Sequence, residues 1–371
     1  MQAIKRWTVR VAAAVGLAIC LVGGVALFLT LRQSGTAHGP GDVASGPTIP
    51  HTSSSGTGGK PLSTSVPGLS PAVSRGSGVV DAPWGSGPGA LGKTRPQEGN
   101  PEAPMSLTLD AQGNVLVVDQ VNNRLARFDR QGKSLGSLPL TLQAAQDVQV
   151  ALDGTTAVLD RLVDKSVALV GPDGALRGEL PVVGKNFPEG GAATALVVDG
   201  NDVYLEREHG DLVRIGDSSG NVDPERPEIP GRPTHDGKSY ISAGITDASA
   251  GKVFINAIDR SSLKHMYTRE LALGVPVTAI TFLDSDRLGI IYMALLLQEP
   301  GKAGGGDAAP ALTLRLLCLD PLDGRPTGQA TLPLNTLPEE TFRDLTMSDR
   351  GGVLYSYRSV AGVQVQHHDC H

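Results

Sequence analysis

Several short stretches of the sequence carry residue types that perform chemistry when correctly placed. Gly216–Gly220 reads GDSSG and fits G-x-S-x-G, which presents a nucleophilic serine only on a strand–turn–helix elbow. Gly87–Gly92 reads GPGALG and fits G-x-G-x-x-G, which cradles a dinucleotide only inside a βαβ unit. The C-terminus reads HHDCH, and imidazole and thiolate are zinc ligands. On a strand, however, alternate residues face opposite sides. His368 and Cys370 would share one face, and His367, Asp369 and His371 the other, so neither set has zinc-finger spacing. Asp119, Asn123 and Arg124 gather in one polar turn, either as a ligand-facing loop or as groups that satisfy the turn backbone. Glu206–Gly210 reads EREHG and presents Glu206, Arg207, Glu208 and His209. A Gly-rich insertion between Leu295 and Leu312 presents Gln298, Lys302 and Asp307.

Each motif is decided by the elements around it. Beyond Met105 the chain is a series of short apolar runs broken by Gly and Asp turn signals, the pattern of an all-β domain. The stretch SLTLDAQGNVLVVDQVNNRLARFDRQGKSLGSLPL recurs in degraded form. Further units open with DVQVALDG and ALVVDGND, then near Ile241, near Val277 and near Phe342. Each reads strand, Gly/Asp turn, strand, polar turn, strand, Asp/Gly turn and usually a fourth strand. A period of about 35–50 residues with four short strands marks propeller blades. In this frame GDSSG is an ordinary strand-to-strand turn, and GPGALG has no βαβ unit around it. EREHG and the Gly-rich insertion fall in equivalent turns between second and third strands, on one face of the ring.

The first unit resembles an NHL repeat. Gly113-Asn114, the strand Val115–Val118, then Asp119, Asn123 and Arg124 match that pattern in order. The second unit keeps Asp160 and has Lys165 in place of the arginine. The third substitutes EREHG, and the later units match in strand rhythm only. The resemblance implies an all-β, six-bladed β-propeller over residues 76–371, with Asp119, Asn123 and Arg124 as a structural blade corner. The sixth unit stops after its third strand. Ring closure is therefore expected from Gly78–Trp84 pairing with Gly362–His368, which removes an open edge. Cys318 and Cys370 fall in the third strands of neighbouring blades at offset positions, so their pairing stays open.

Residues 1–75 are of a different kind. No charge occurs from Val11 to Leu31, a stretch long enough to cross about 30 Å of hydrocarbon as a helix. Lys5, Arg6 and Arg10 precede it, which predicts a cytoplasmic N-terminus (1–10), a signal-anchor span (11–31) and an external remainder. A cleaved signal peptide is the alternative, with SGTA as its cleavage site. A lipoprotein reading of LAIC fails, because Ile19 is bulky and apolar sequence continues past Cys20. Residues 32–75 are Gly, Ser, Thr and Pro with almost no large apolar side chain and read as a disordered tether.

The net charge of −6 gives no basis for nucleic-acid binding. No Asn-x-Ser/Thr acceptor occurs, which favours a bacterial envelope. The expected protein is a bacterial inner-membrane, single-pass propeller facing the periplasm or exterior. It binds or scaffolds an envelope protein or glycan, with no cofactor and no catalytic residues. It resembles the external sensor propellers of bacterial receptor kinases, but no kinase is present. The alternative from the same resemblance is a metal-dependent lactonase- or lyase-like propeller enzyme, which needs carboxylates, Asn or His converging on the axis.

Overall fold

The computed structural model describes residues 62–66, 72–73, 76–299 and 311–370. Among these residues the strands form six separate sheets. Their inner strands pack side by side around an axis, and the chain is an all-β, six-bladed propeller. The inner strands of blades 1 to 6 are Leu107–Leu109, Asp147–Val150, Ala193–Asp199, Arg232–Pro233, Val277–Ser285 and Leu345–Met347.

The local sequence explains the blades. Middle strands such as Val115–Asp119, Thr156–Asp160 and Ser166–Val170 are buried along their whole length. Neighbouring blades cover both faces of these sheets, so the strands read as continuous apolar runs rather than alternating ones. Outer strands such as Ser134–Pro139 are largely exposed. The recurring Asp-x-x-Gly turns share one mechanism. Asp129 accepts from the backbone N–H of Gln131 and Lys133, both at 2.9 Å. Gly132 then takes φ 79°, and a Cβ there would lie 2.3 Å from the Val79 carbonyl oxygen. Asp110 repeats the pattern in the same blade, and Asp217 and Asp286 repeat it in blades 3 and 5.

The ring closes as the sequence predicts. Ser77–Pro83 is the fourth strand of blade 6 and runs antiparallel to Gly362–His368, with Val80 opposite Val365 and Ala82 opposite Val363. Trp84 Nε1 donates to the Ser359 carbonyl at 2.9 Å beside this seam. Cys318 in blade 5 and Cys370 past the third strand of blade 6, Gly362–His368, are disulfide-bonded, with Cα atoms 6.1 Å apart. Cys370 lies beyond its strand's end, which absorbs the offset in alignment.

Two sequence expectations need correction. The fourth unit does not begin near Ile241: Ile241 lies in the second strand of blade 4, Ser239–Asp247, opposite Arg232 in the short inner strand. Part of the stretch read as tether is also ordered. Leu62–Ser65 runs parallel to the outer strand of blade 4, His265–Ala272, and Ala72–Val73 runs parallel to the outer strand of blade 5, Pro326–Leu332. Val66 is 3% exposed and packs with Leu271 and Leu273, while Arg269 donates to Thr64 Oγ1. The N-terminal segment thus supplies successive outer strands to blades 4, 5 and 6. The predicted span at 11–31 lies outside the described residues. Among the described residues no helix is long and apolar enough to cross a membrane.

Candidate functional site at the axial cavity

The inner strands run toward one face of the ring, where the turns into the second strands open. A cavity of about 610 Å³ lies on the axis at this face, and every blade lines it. Thr108, Gln149, Val198, Arg232, Asp284 and Thr346 represent blades 1 to 6 in its wall. The volume is in the range of small-ligand sites, roughly 300–1,000 Å³.

The axis beneath the cavity holds charges from distant parts of the chain. Arg343, just before the inner strand of blade 6, pairs with Asp147 of blade 2 at 2.7 Å and donates to the Val148 carbonyl at 2.9 Å. Asp147 also accepts from the Leu196 N–H of blade 3 at 2.9 Å. Arg232 reaches Asp284 at 3.4 Å and Glu206 at 3.7 Å. Burial draws the Arg232 guanidinium toward its neutral form. The carboxylates of Asp284, Glu206 and Asp147 outweigh that effect and leave its pKa raised. His235 Nε2 stands 3.7 Å from Asp284 Oδ1, and its backbone N–H donates to Ser285 Oγ at 2.9 Å.

Of the EREHG residues, the described contacts bring one to this cluster. Glu206 sits at the end of its strand, accepts from Thr194 Oγ1 at 2.9 Å and contacts Arg232. Arg207 turns to the Asn186 carbonyl and Glu228. Glu208 and His209 take left-handed backbone conformations, φ 50° and 60°, in a turn at the opposite end of the strands from the cavity. Gln298 is exposed at the end of its strand, near Pro276. Lys302 and Asp307 lie outside the described residues.

The blade-corner residues hold a loop. Asp119 is fully buried and accepts from Gly92 N–H at 2.9 Å, Asn122 Nδ2 at 2.8 Å and Arg124 Nε at 2.8 Å. Arg124 also donates to the carbonyls of Ser86 and Ala90. The GPGALG stretch is thus the loop that these side chains pin behind the closing strand. Asn123 contributes a left-handed turn at φ 50°, while its neighbour Asn122 makes the side-chain bonds.

The other motifs have structural partners. In GDSSG, Ser218 is 1% exposed and donates to Asp153 at 2.9 Å. His368 is buried edge-on against Tyr355, with ring centroids 6.0 Å apart. Burial, with His367 adding to it, lowers its pKa to about 4. His371 lies outside the described residues. Among the described residues no group of three or more His, Cys, Asp or Glu is arranged to hold a metal ion.

Sequence reasoning missed Arg232, Asp284, Arg343 and Asp147. The available signal was a charge inside or beside an inner strand, as in the LDSD of Leu283–Asp286, where an apolar residue is the rule.

No protein-family model matches the chain, and no curated protein matches it. Among solved structures the chain is similar to hydrazine synthase from Kuenenia stuttgartiensis, with 16% identity, 71% of this chain and 76% of that chain covered, and a TM-score of 0.45. It is similar to virginiamycin B lyase from Staphylococcus aureus, with 12% identity, 71% and 94% covered, and a TM-score of 0.38. It is also similar to a DUF4221 family member from Bacteroides vulgatus, with 10% identity, 72% and 92% covered, and a TM-score of 0.44. Likenesses at this level assign no activity.

Proposed function

We propose that the protein is an NHL-like propeller that binds a ligand or partner in the cell envelope, non-catalytically, with the axial cavity as its site. The observation that carries this reading is the convergence of all six blades on one cavity of about 610 Å³. A cavity assembled this way is held by a closed ring and is preformed for binding. In this proposal residues 11–31 anchor the chain in the bacterial inner membrane, and the propeller faces outward. The Cys318–Cys370 disulfide supports an oxidising compartment, because such bonds persist there and are rare in reducing cytoplasm.

Val198 lines the cavity from the inner strand of blade 3 and is half-buried, so Val198→Trp fills the opening. The test is cross-linked capture from the native envelope by the full chain and by this variant, after checking that both melt alike. Capture by the native chain and loss in the variant is the expected result. Equal capture by both would remove the cavity as the binding site.

A further inference from the structure

Among the residues that line the axial cavity are five aspartates, Asp110, Asp199, Asp284, Asp286 and Asp349. Four of them are engaged. Asp110 and Asp286 accept backbone N–H groups of their own turns. Asp199 pairs with Arg260, and Asp349 pairs with Arg130 at 2.7 Å. Asp284 differs. Its side chain is 9% exposed, and among the described residues its one short hydrogen bond comes from the adjacent Ser285 N–H at 2.8 Å. The remaining contacts are Arg232 at 3.4 Å and His235 at 3.7 Å, both beyond good hydrogen-bond length.

Other buried carboxylates of this protein are better satisfied. Asp160 accepts three backbone N–H groups, from Ala144, Leu162 and Val163, at 2.8–3.0 Å. A carboxylate more than nine-tenths buried retains strong acceptor capacity and is costly to leave underpaired. Asp284 faces an open cavity instead of packed protein. The Arg232 guanidinium already lies between Asp284 and Glu206, so the floor has the shape and charge of a cation site, only loosely occupied from within. Val150, Val198 and Met347 line the same cavity and offer apolar wall for a methylene stem. Arg287, the other arginine in the lining, is exposed at the rim and screened by solvent.

We infer that the axial cavity takes a cationic ligand, with an ammonium or guanidinium group seated on Asp284. This rests on the binding reading above and adds the chemical class. The group comes from one of two sources, the lysine or arginine side chain of a partner protein or a free polyamine.

The test uses the full chain with three probes: spermidine, a capped tetrapeptide bearing lysine and arginine, and the same peptide with glutamates. Binding is read by calorimetry and by the melting shift. At least one cationic probe binds and the glutamate peptide does not. Asp284→Asn weakens that binding at least about tenfold while its circular dichroism stays native. Arg232→Met, which removes the resident guanidinium, tightens it. Binding of the peptide alone identifies a partner's side chain as the source, and binding of spermidine a free amine. Failure of both cationic probes at millimolar concentration, equal binding by Asp284→Asn, or preference for the glutamate peptide overturns the inference. In the last case, a binding event that Val198→Trp abolishes leaves the cavity as the site and removes only its cation preference.

Discussion

The guanidinium of Arg343 in blade 6 closes on the buried carboxylate of Asp147 in blade 2 at 2.7 Å, across 196 residues of sequence. The Asp147 side chain is fully buried and that of Arg343 is 9% exposed. The pair therefore ties blade 6 to blade 2, the two blades that flank blade 1. Removing one partner strands a buried charge, which costs about 3–5 kcal/mol. Asp147→Asn or Arg343→Met should lower the unfolding free energy from denaturant titration by that amount, seen as a lower midpoint at unchanged slope. The double variant should recover part of the loss. A cost within error of zero for either single change would mean the pair is not formed in solution.

The disulfide between Cys318 and Cys370 encloses 52 residues and joins blade 5 to blade 6. A loop of that length corresponds to about 4 kcal/mol in the chain-entropy model. Both sulfur-bearing residues are buried, at 1% and 5% exposure. Protein taken from its native source and denatured without reductant should leave both thiols unalkylated. Reduction should label both and lower the melting temperature. Labelling of both before reduction would show that the bond is not present.

His368 gives the fold an acid limit. Its folded pKa is lowered to about 4 by burial and by His367, below the ordinary value of 6.5. Between these values the unfolded chain holds more protons than the folded one. Stability from this residue is therefore complete above about pH 6.5 and is lost as pH falls toward 4, by about 3 kcal/mol in all. Stability measured at intervals from pH 7 to 4 should fall accordingly, and His368→Phe should flatten the decline. An unchanged slope in the variant would assign the acid sensitivity to other groups.

Val66 tests whether the N-terminal segment is docked. It is 3% exposed, its N–H donates to the Ala272 carbonyl at 3.0 Å, and it packs with Leu271 and Leu273. Val66→Ala should cost about 2 kcal/mol by loss of buried methyl groups. An exposed tether residue would cost nothing measurable.

The fold was more legible in the sequence than the site. The strand rhythm, the Asp-x-x-Gly turns and the unfinished sixth unit depend on local pattern, and the closing strand at Ser77–Pro83 could be inferred from them. Blade 4 was misread because its inner strand is the pair Arg232–Pro233, too short for a periodic signal, and proline gives no ladder donor. The strands at Leu62–Ser65 and Ala72–Val73 are hidden because they are only four and two residues long and borrow an existing sheet edge instead of building a core. The axial cluster was hidden for a different reason. Arg343 and Asp147, or Arg232 and Glu206, look like unrelated surface charges until the blades are set around one axis. Attention to the EREHG turn reached Glu206 but assigned the recognition to the face away from the cavity.

The most direct test of the cavity as the binding site uses a photo-cross-linking side chain at one position per variant. Ala111 is an exposed cavity-lining residue at the rim, and His209 lies exposed in a turn at the other end of the strands. Irradiated in its native cells, the full chain should give a discrete adduct from position 111 that Val198→Trp suppresses, and none from position 209. An adduct from position 209 with none from position 111 would contradict the assignment of binding to the axial cavity.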